Sequence, residues 1–312
     1  MAVPTNLSSL HPFLSKNETA VSSGGSVISY SHDLGSGPIL VMVHGWPQTS
    51  YMWRHTAPLL KSSISMFIVE LPGYGISSQP AAADKRTVGR LIVDAVHRVF
   101  DAQRPLIWCG HDRGGRVGHR LVVDNDPAHN IVSAIVMDIV PTLEQWRALT
   151  KSRLAIPYYH WPFLANEAAP SLIEQMGARN YLLHSIERMK TINPIGAARF
   201  DENDSIEHYA QNFSLMSTVK GSCADYHAGA TVDVDEQEDD MREGRRIKVP
   251  LLVIYSARNL GSSHDVLGLW EKWSDCEVRA IGVKDDIGHF LPEEAPEETV
   301  GHIRQWIEEY PG

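Results

Sequence analysis

Cysteine is scarce: 312 residues hold three, Cys109, Cys223 and Cys276, far apart in the chain. Neither a disulfide framework nor a zinc-ligand spacing can be drawn from them, so a reducing compartment is expected. Long apolar runs are missing as well. No stretch reaches the length of a membrane-spanning helix, and the first residues show no signal-peptide core, which makes the cytosol the expected location. The fifteen histidines include no HExxH pair, and no metal site is expected. Positive charge is in deficit, with 28 Lys and Arg against 38 Asp and Glu, a formal net charge of −10. That balance argues against nucleic acid and anionic membranes as partners. An anionic small molecule would need a locally positive pocket. Repeats and low-complexity tracts are absent.

The length suits one large core, or a core with an inserted unit. Apolar strand candidates recur at Val27–Ser31, Ile39–Val43, Met66–Leu71, Leu106–Cys109, Ala134–Asp138, Leu251–Tyr255 and Val278–Val283. Helix-like stretches lie between several of them, clearest at Thr87–Ala102, Arg116–Asp124, Val266–Trp273 and Glu297–Glu309. Alternating strands and helices predict an α/β fold with a mostly parallel sheet covered on both faces. The Ser-rich residues 1–24 read as an arm or a first edge segment. Between Pro141 and Lys248 the alternation stops and helical, aromatic-rich patches take over, such as Ser171–Met176 and Ser205–Phe213. The expected division is a core of residues 1–140 and 249–312 and an inserted helical cap of residues 141–248. The acidic run Asp233–Asp240 reads as a solvated return loop.

The most informative segment is Gly110-His111-Asp112-Arg113-Gly114, which follows the apolar run Pro105–Cys109 and precedes a helical stretch. Small-x-acid-x-Gly between strand and helix is the layout of a nucleophile elbow, with Asp112 where serine is usual. The glycines relieve crowding at the sharp turn, and the helix N-terminus favours negative charge. A carboxylate attacking a carbonyl gives an anhydride. At a saturated carbon bearing a leaving group it gives a stable ester, which water then cleaves at the carboxyl carbon of Asp112. Carbon–halogen or epoxide cleavage is therefore expected over ester hydrolysis.

An ester of this kind needs a base to activate water. His289 follows the last strand candidate, in Gly288-His289-Phe290, and is the expected base. Asp138, at the end of Ala134–Asp138, is the expected acid that orients it, with Asp265 as the fallback. The oxyanion donors are expected to be the backbone N–H groups of Trp46, in His44-Gly45-Trp46-Pro47, and Arg113.

Together these residues resemble the α/β-hydrolase superfamily, and within it the fluoroacetate (haloacetate) dehalogenases, which are related to epoxide hydrolases. The resemblance runs from His44-Gly45-Trp46-Pro47-Gln48 to Gly288-His289-Phe290 and is most specific at His111-Asp112-Arg113-Gly114-Gly115-Arg116. It implies the α/β-hydrolase fold, and it implies that Arg113 and Arg116 hold a substrate carboxylate. Guanidinium forks suit that role. The competing reading is that either arginine pairs with an acid of the cap or surface. The resemblance also implies a halide site made by His160, Trp161 and Tyr226. The chain departs from the dehalogenases at Tyr159, where they carry Trp, and lacks a further cap Trp between Tyr181 and Phe200. Epoxide hydrolases use two cap tyrosines as acids, for which Tyr159 and Tyr226 are placed; but they carry Trp after the nucleophile, where this chain has Arg113.

Three activities follow from these residues. The first is hydrolytic dehalogenation of a small 2-haloacid. The second is epoxide hydrolysis through the same Asp112 ester. The third is a non-catalytic binding module, disfavoured because acid, base and oxyanion loop are all retained. Each takes a small-molecule ligand and no cofactor, and leaves a homodimer open.

Overall fold

The computed structural model describes residues 6–21 and 25–311; Ser22-Ser23-Gly24 of the expected arm lie outside the described residues. Among the described residues the strands are β1 (Ser15–Ala20), β2 (Ser26–His32), β3 (Ile39–Val43), β4 (Ser65–Val69), β5 (Leu106–His111), β6 (Ile131–Met137), β7 (Leu251–Ser256) and β8 (Val278–Val283). They form one sheet in the order β1-β2-β4-β3-β5-β6-β7-β8. From β4 across to β8 neighbouring strands are parallel. The first two strands pair antiparallel, and β2 is antiparallel to β4. The seven apolar runs all become strands. The eighth, β1, reads Ser-Lys-Asn-Glu-Thr-Ala and buries only Thr19, because a polar edge discourages pairing with another chain.

The central parallel strand is apolar along its length: every residue of Ile39–Val43 is buried, as expected when both faces are covered. Among the covering helices, Lys85–Val99 turns Val88, Leu91, Ile92, Ala95 and Val96 inward at helical spacing. Its start is fixed by Asp84, whose side chain accepts from Thr87 N–H at 2.8 Å.

The chain leaves β3 for β4 on one side and returns to β5 on the other. The loops after β3 and β5 therefore diverge at the C-terminal edge of the sheet. Such a switch point opens a crevice where ligands bind. His44-Gly45-Trp46 and Asp112 sit at its two sides.

Between Thr142 and Glu243 the described chain is helical with no strand. The acidic run is not a loop. It forms most of the helix Val232–Glu243. Asp233, Glu236 and Asp240 recur at helical spacing and meet cations of the flanking core helices. Asp233 pairs with Lys85 at 2.9 Å, Glu236 with Arg86, and Asp240 with Arg120 at 2.5 Å. Arg245 closes on the other Asp240 oxygen at 2.7 Å. The sequence reading failed because a run of like charge is solvated only if no opposite charge covers it.

A buried carboxylate between two guanidiniums is costly to remove. Asp240→Ala is expected to destabilise the fold by about 3–5 kcal/mol, whereas Glu238→Gln, exposed on the same helix, should stay within about 0.5 kcal/mol. Urea unfolding of the two variants measures the difference; equal midpoints would mean that the helix is not held by these pairs.

Candidate active site

The strand β5 ends at His111 and a helix begins at Arg113. Asp112 between them takes φ +44°, ψ −111°, a conformation costly for any side-chain-bearing residue. The turn is possible because its neighbours lack side chains. A Cβ on Gly110 would lie 2.3 Å from Gly114 O, and one on Gly114 would lie 2.3 Å from Val43 O. The Asp112 backbone stays tied to the sheet, its N–H donating to Met137 O at 3.1 Å. The carboxylate rises to the crevice, where Trp46 N–H donates to Oδ1 at 3.0 Å.

Asp138, one residue beyond β6, also takes a positive φ of 51°. Its Oδ1 accepts from Ser256 N–H at 2.8 Å. Its Oδ2 lies 2.7 Å from His289 Nδ1. With Nδ1–H donated to Asp138, the free nitrogen of the ring is Nε2. Three ties hold the His289 loop. Its backbone N–H donates to Met189 O at 3.1 Å, His111 Nε2 lies 2.8 Å from its carbonyl, and Glu294 accepts from Gly288 N–H at 2.5 Å.

Burial by itself would raise the Asp112 carboxyl, but the charges of His289, Arg113 and Arg116 outweigh it and hold the group below the usual carboxylate range. For His289 burial acts downward; the hydrogen bond and charge of Asp138, with the charge of Asp112, reverse it and raise the imidazole. His111 is pushed down to about 3 by burial and by His289, so it stays neutral and serves as a prop.

A cavity of about 320 Å³ opens over Asp112 and His289. Trp46 and Arg116 line it from the core, and His160, Trp161 and Tyr226 from the helical segment. The His160 ring stacks on Trp46 at 5.4 Å. Arg188 Nη2 lies 3.1 Å from His160 Nδ1. A guanidinium only donates, so Nδ1 accepts and the proton of the neutral ring sits on Nε2. Burial and Arg188 both push this imidazole far down. Arg116 donates to Val140 O at 3.0 Å and Thr142 Oγ1 at 3.2 Å, and stacks over Trp161 at 4.5 Å. Burial and the neighbouring Arg113 bring it down to about 10, which leaves it charged at neutral pH. Among the described residues no carboxylate pairs with it. Asp112 and Arg116 therefore face one cavity as a carboxylate and an unpaired cation.

The profile of the alpha/beta hydrolase fold matches residues 38–296. The chain belongs to that family. It is a hydrolase. It is 30% identical over 287 residues, 88% of each chain, to a fluoroacetate dehalogenase from Burkholderia sp. It is 26% identical over 266 residues to a soluble epoxide hydrolase from Corynebacterium sp. (strain C12), covering 84% of this chain and 87% of that one. Among solved structures, a candidate epoxide hydrolase from Pseudomonas aeruginosa superposes with a TM-score of 0.84 at 27% identity, over 96% of this chain and 97% of that one.

Within this hydrolase, three expected placements are corrected. The Arg113 guanidinium does not line the cavity over Asp112. It is tied to Asp225 of the helical segment, Nε to Oδ2 at 2.6 Å and Nη2 to Oδ1 at 3.1 Å, and lies over the Tyr226 ring at 4.2 Å. Asp225 is itself held in place by Lys85 at 2.5 Å and by the Tyr74 hydroxyl at 2.8 Å. Tyr159 lines a separate groove with Phe163 and Tyr181; its neighbour Tyr158 lines the cavity instead. Asp265 caps a helix, accepting from Gly268 N–H at 3.1 Å, and takes no part beside His289. Besides Tyr158, sequence reasoning missed Arg188, His111 and Glu294. Tyr158 had a signal in the tyrosine doublet; Arg188 and His111 act through partners 28 and 178 residues away, and Glu294 through the loop that carries His289.

The His289–Asp138 contact sets a titration. In Asp138→Asn the two leading upward influences are lost and burial prevails. Histidine NMR should show the His289 imidazole above its ordinary value of about 6.5 in the native protein and below it in the variant. Unchanged titration would mean that the 2.7 Å contact does not persist in solution.

Proposed function

We infer that this hydrolase cleaves the carbon–halogen bond of a small 2-haloacid through an ester on Asp112. The observation that carries this reading is Arg116, a buried guanidinium that faces the cavity beside Asp112 without an acidic partner. An unpaired buried charge is unfavourable, and a substrate carboxylate would satisfy it while holding the α-carbon close to Asp112.

In the first step the free oxygen of Asp112 attacks the α-carbon opposite the halogen. The carbon–oxygen bond forms, the carbon–halogen bond breaks, and the configuration inverts. The halide leaves as an anion toward His160 Nε2–H, Trp161 N–H and the Tyr226 hydroxyl, all on the helical segment, which acts as a cap. Donors positioned for charge that develops only in the transition state favour this step selectively. In the second step His289 Nε2 takes a proton from water, the resulting hydroxide attacks the carboxyl carbon of the ester, and Asp138 stabilises the imidazolium. The backbone N–H groups of Trp46 and Arg113 hold the oxyanion. On collapse the His289 imidazolium gives its proton to the departing alkoxide, releasing the 2-hydroxyacid, and the carboxyl proton left on Asp112 passes to solvent, which regenerates the carboxylate and the neutral imidazole. Arg113 thus contributes its backbone, while its side chain fastens the cap.

A second reading is supported by Tyr158, which lines the same cavity as Tyr226. Two phenols could donate to an opening epoxide oxygen, with Tyr158 in place of Tyr159.

In His289→Asn, chloroacetate is expected to leave a carboxymethyl ester on Asp112, detected by peptide mass spectrometry, and no adduct should form in Asp112→Asn. Arg116→Ala should lower kcat/KM for chloroacetate about a hundredfold or more. Diol formation from styrene oxide exceeding halide release from any haloacid, and insensitive to Arg116→Ala, would transfer the assignment to epoxides. No adduct from either class would leave only a binding module.

A further inference from the structure

The cavity is larger than a two-carbon haloacid requires. Its 320 Å³ would hold roughly ten waters at about 30 Å³ each, and haloacetate would displace only about half of them. Arg188 on the helix Ala178–Met189 and Arg258 and Asn259 on the loop after β7 also line the cavity. None of these was assigned a part by the sequence reading.

The charge around the cavity is unbalanced. Arg116, Arg188 and Arg258 face it, against Asp112 and Asp138. The charge of Asp138 is committed to His289 at 2.7 Å. Arg188 donates to the Pro157 carbonyl and to His160 Nδ1, both uncharged, and no carboxylate pairs with it among the described residues. Arg258 has only Asp286 at 3.8 Å, with Asp286 62% exposed, an ion pair largely given over to water. The side-chain amide of Asn259 has no hydrogen-bond partner among the described residues. Asp112 thus remains as the one uncommitted carboxylate before three guanidiniums. With Asp112 counted against the three guanidiniums, a single substrate carboxylate on Arg116 leaves one positive charge in excess. A second one neutralises the site.

We propose that Arg188, Arg258 and Asn259 form a distal anion site, and that the preferred substrates are short 2-halodicarboxylates such as halosuccinate. Arg116 takes the carboxylate beside the halogen, and the distal wall takes the other. This rests on the dehalogenase reading for its chemistry but not for its binding. Arg188 has a dual position, since it also sets the proton of His160, whereas Arg258 touches neither the nucleophile nor the halide donors.

Calorimetry separates the two readings. Succinate should bind the native enzyme at least about tenfold more tightly than butyrate, a difference of about 1.4 kcal/mol, and Arg258→Gln and Arg188→Gln should each reduce that ratio severalfold. In turnover, kcat/KM for 2-chlorosuccinate over 2-chlorobutyrate should follow the same order. Equal binding of succinate and butyrate overturns the distal site, even if both chloroacids are hydrolysed. Selective succinate binding without release of halide from any haloacid keeps the distal site and removes the dehalogenase reading.

Discussion

Asp112 is held ionised although its side chain is buried. Desolvating a carboxylate costs several kcal/mol even after relaxation, so the charge has to be matched by what surrounds it. The surroundings of Asp112 are arranged around this one requirement. Trp46 N–H binds one oxygen, the helix beginning at Arg113 presents its N-terminus, and three cationic groups lower the carboxyl. The backbone geometry serves the same end. Asp112 can stand at the crevice only because Gly110 and Gly114 allow strand, turn and helix to approach more closely than any Cβ would permit. Chemistry and sterics thus converge on a few residues at the switch point of the sheet.

Stabilising a buried anion with cations creates the opposite problem, because the cations need partners as well. The two arginines of the elbow helix meet it differently. Arg113 is matched within the fold: its fork holds Asp225, which also holds Lys85. This network joins the helices Lys85–Val99 and Arg113–Asp124 to the helix Met216–Ala230, so it fastens the helical segment over the sheet. It also seats Tyr226 against Arg113. Arg116 finds only a carbonyl, a hydroxyl and an indole face. Two residues with the same side chain, one turn apart, thus differ: one is paired with an acid within the fold, and the other has no carboxylate partner among the described residues.

What the sequence disclosed follows the range of the interactions. The elbow was legible because the small-x-acid-x-Gly pattern between an apolar run and a helical stretch is local in sequence, and His289 because it follows the last strand candidate. Seven strands were legible from local apolar runs; β1 was not, being polar and exposed. The partner of Arg113 lies 112 residues away, beyond any local pattern. The same holds for the acidic helix, whose spacing was visible but whose cations sit on other helices. Tyr158 and Tyr159 differ by about 100° around a helical turn, and the phase of a short irregular helix is not written in its composition. Local crowding and periodicity can be read along a chain, whereas pairing of charges across the fold requires the fold.

The helical segment adds a constraint on the leaving group. Burial, with Arg188 beside Nδ1, keeps His160 neutral with its proton on Nε2. Such a ring can hydrogen-bond an anion, but it has no labile proton to give. Tyr226 and Tyr158 are displaced in the same sense, their phenols pushed upward by burial and by the nearby carboxylates. They are stronger as hydrogen-bond donors than as acids. A halide departs as a stable anion and needs only such donors. An epoxide oxygen departs as a strongly basic alkoxide and needs a proton as the bond opens. A wall of donors that do not readily surrender protons is better matched to the first demand. Under the proposed dehalogenation, burial and the arginine on the helical segment together deny the histidine a second proton, which suits departure of a halide.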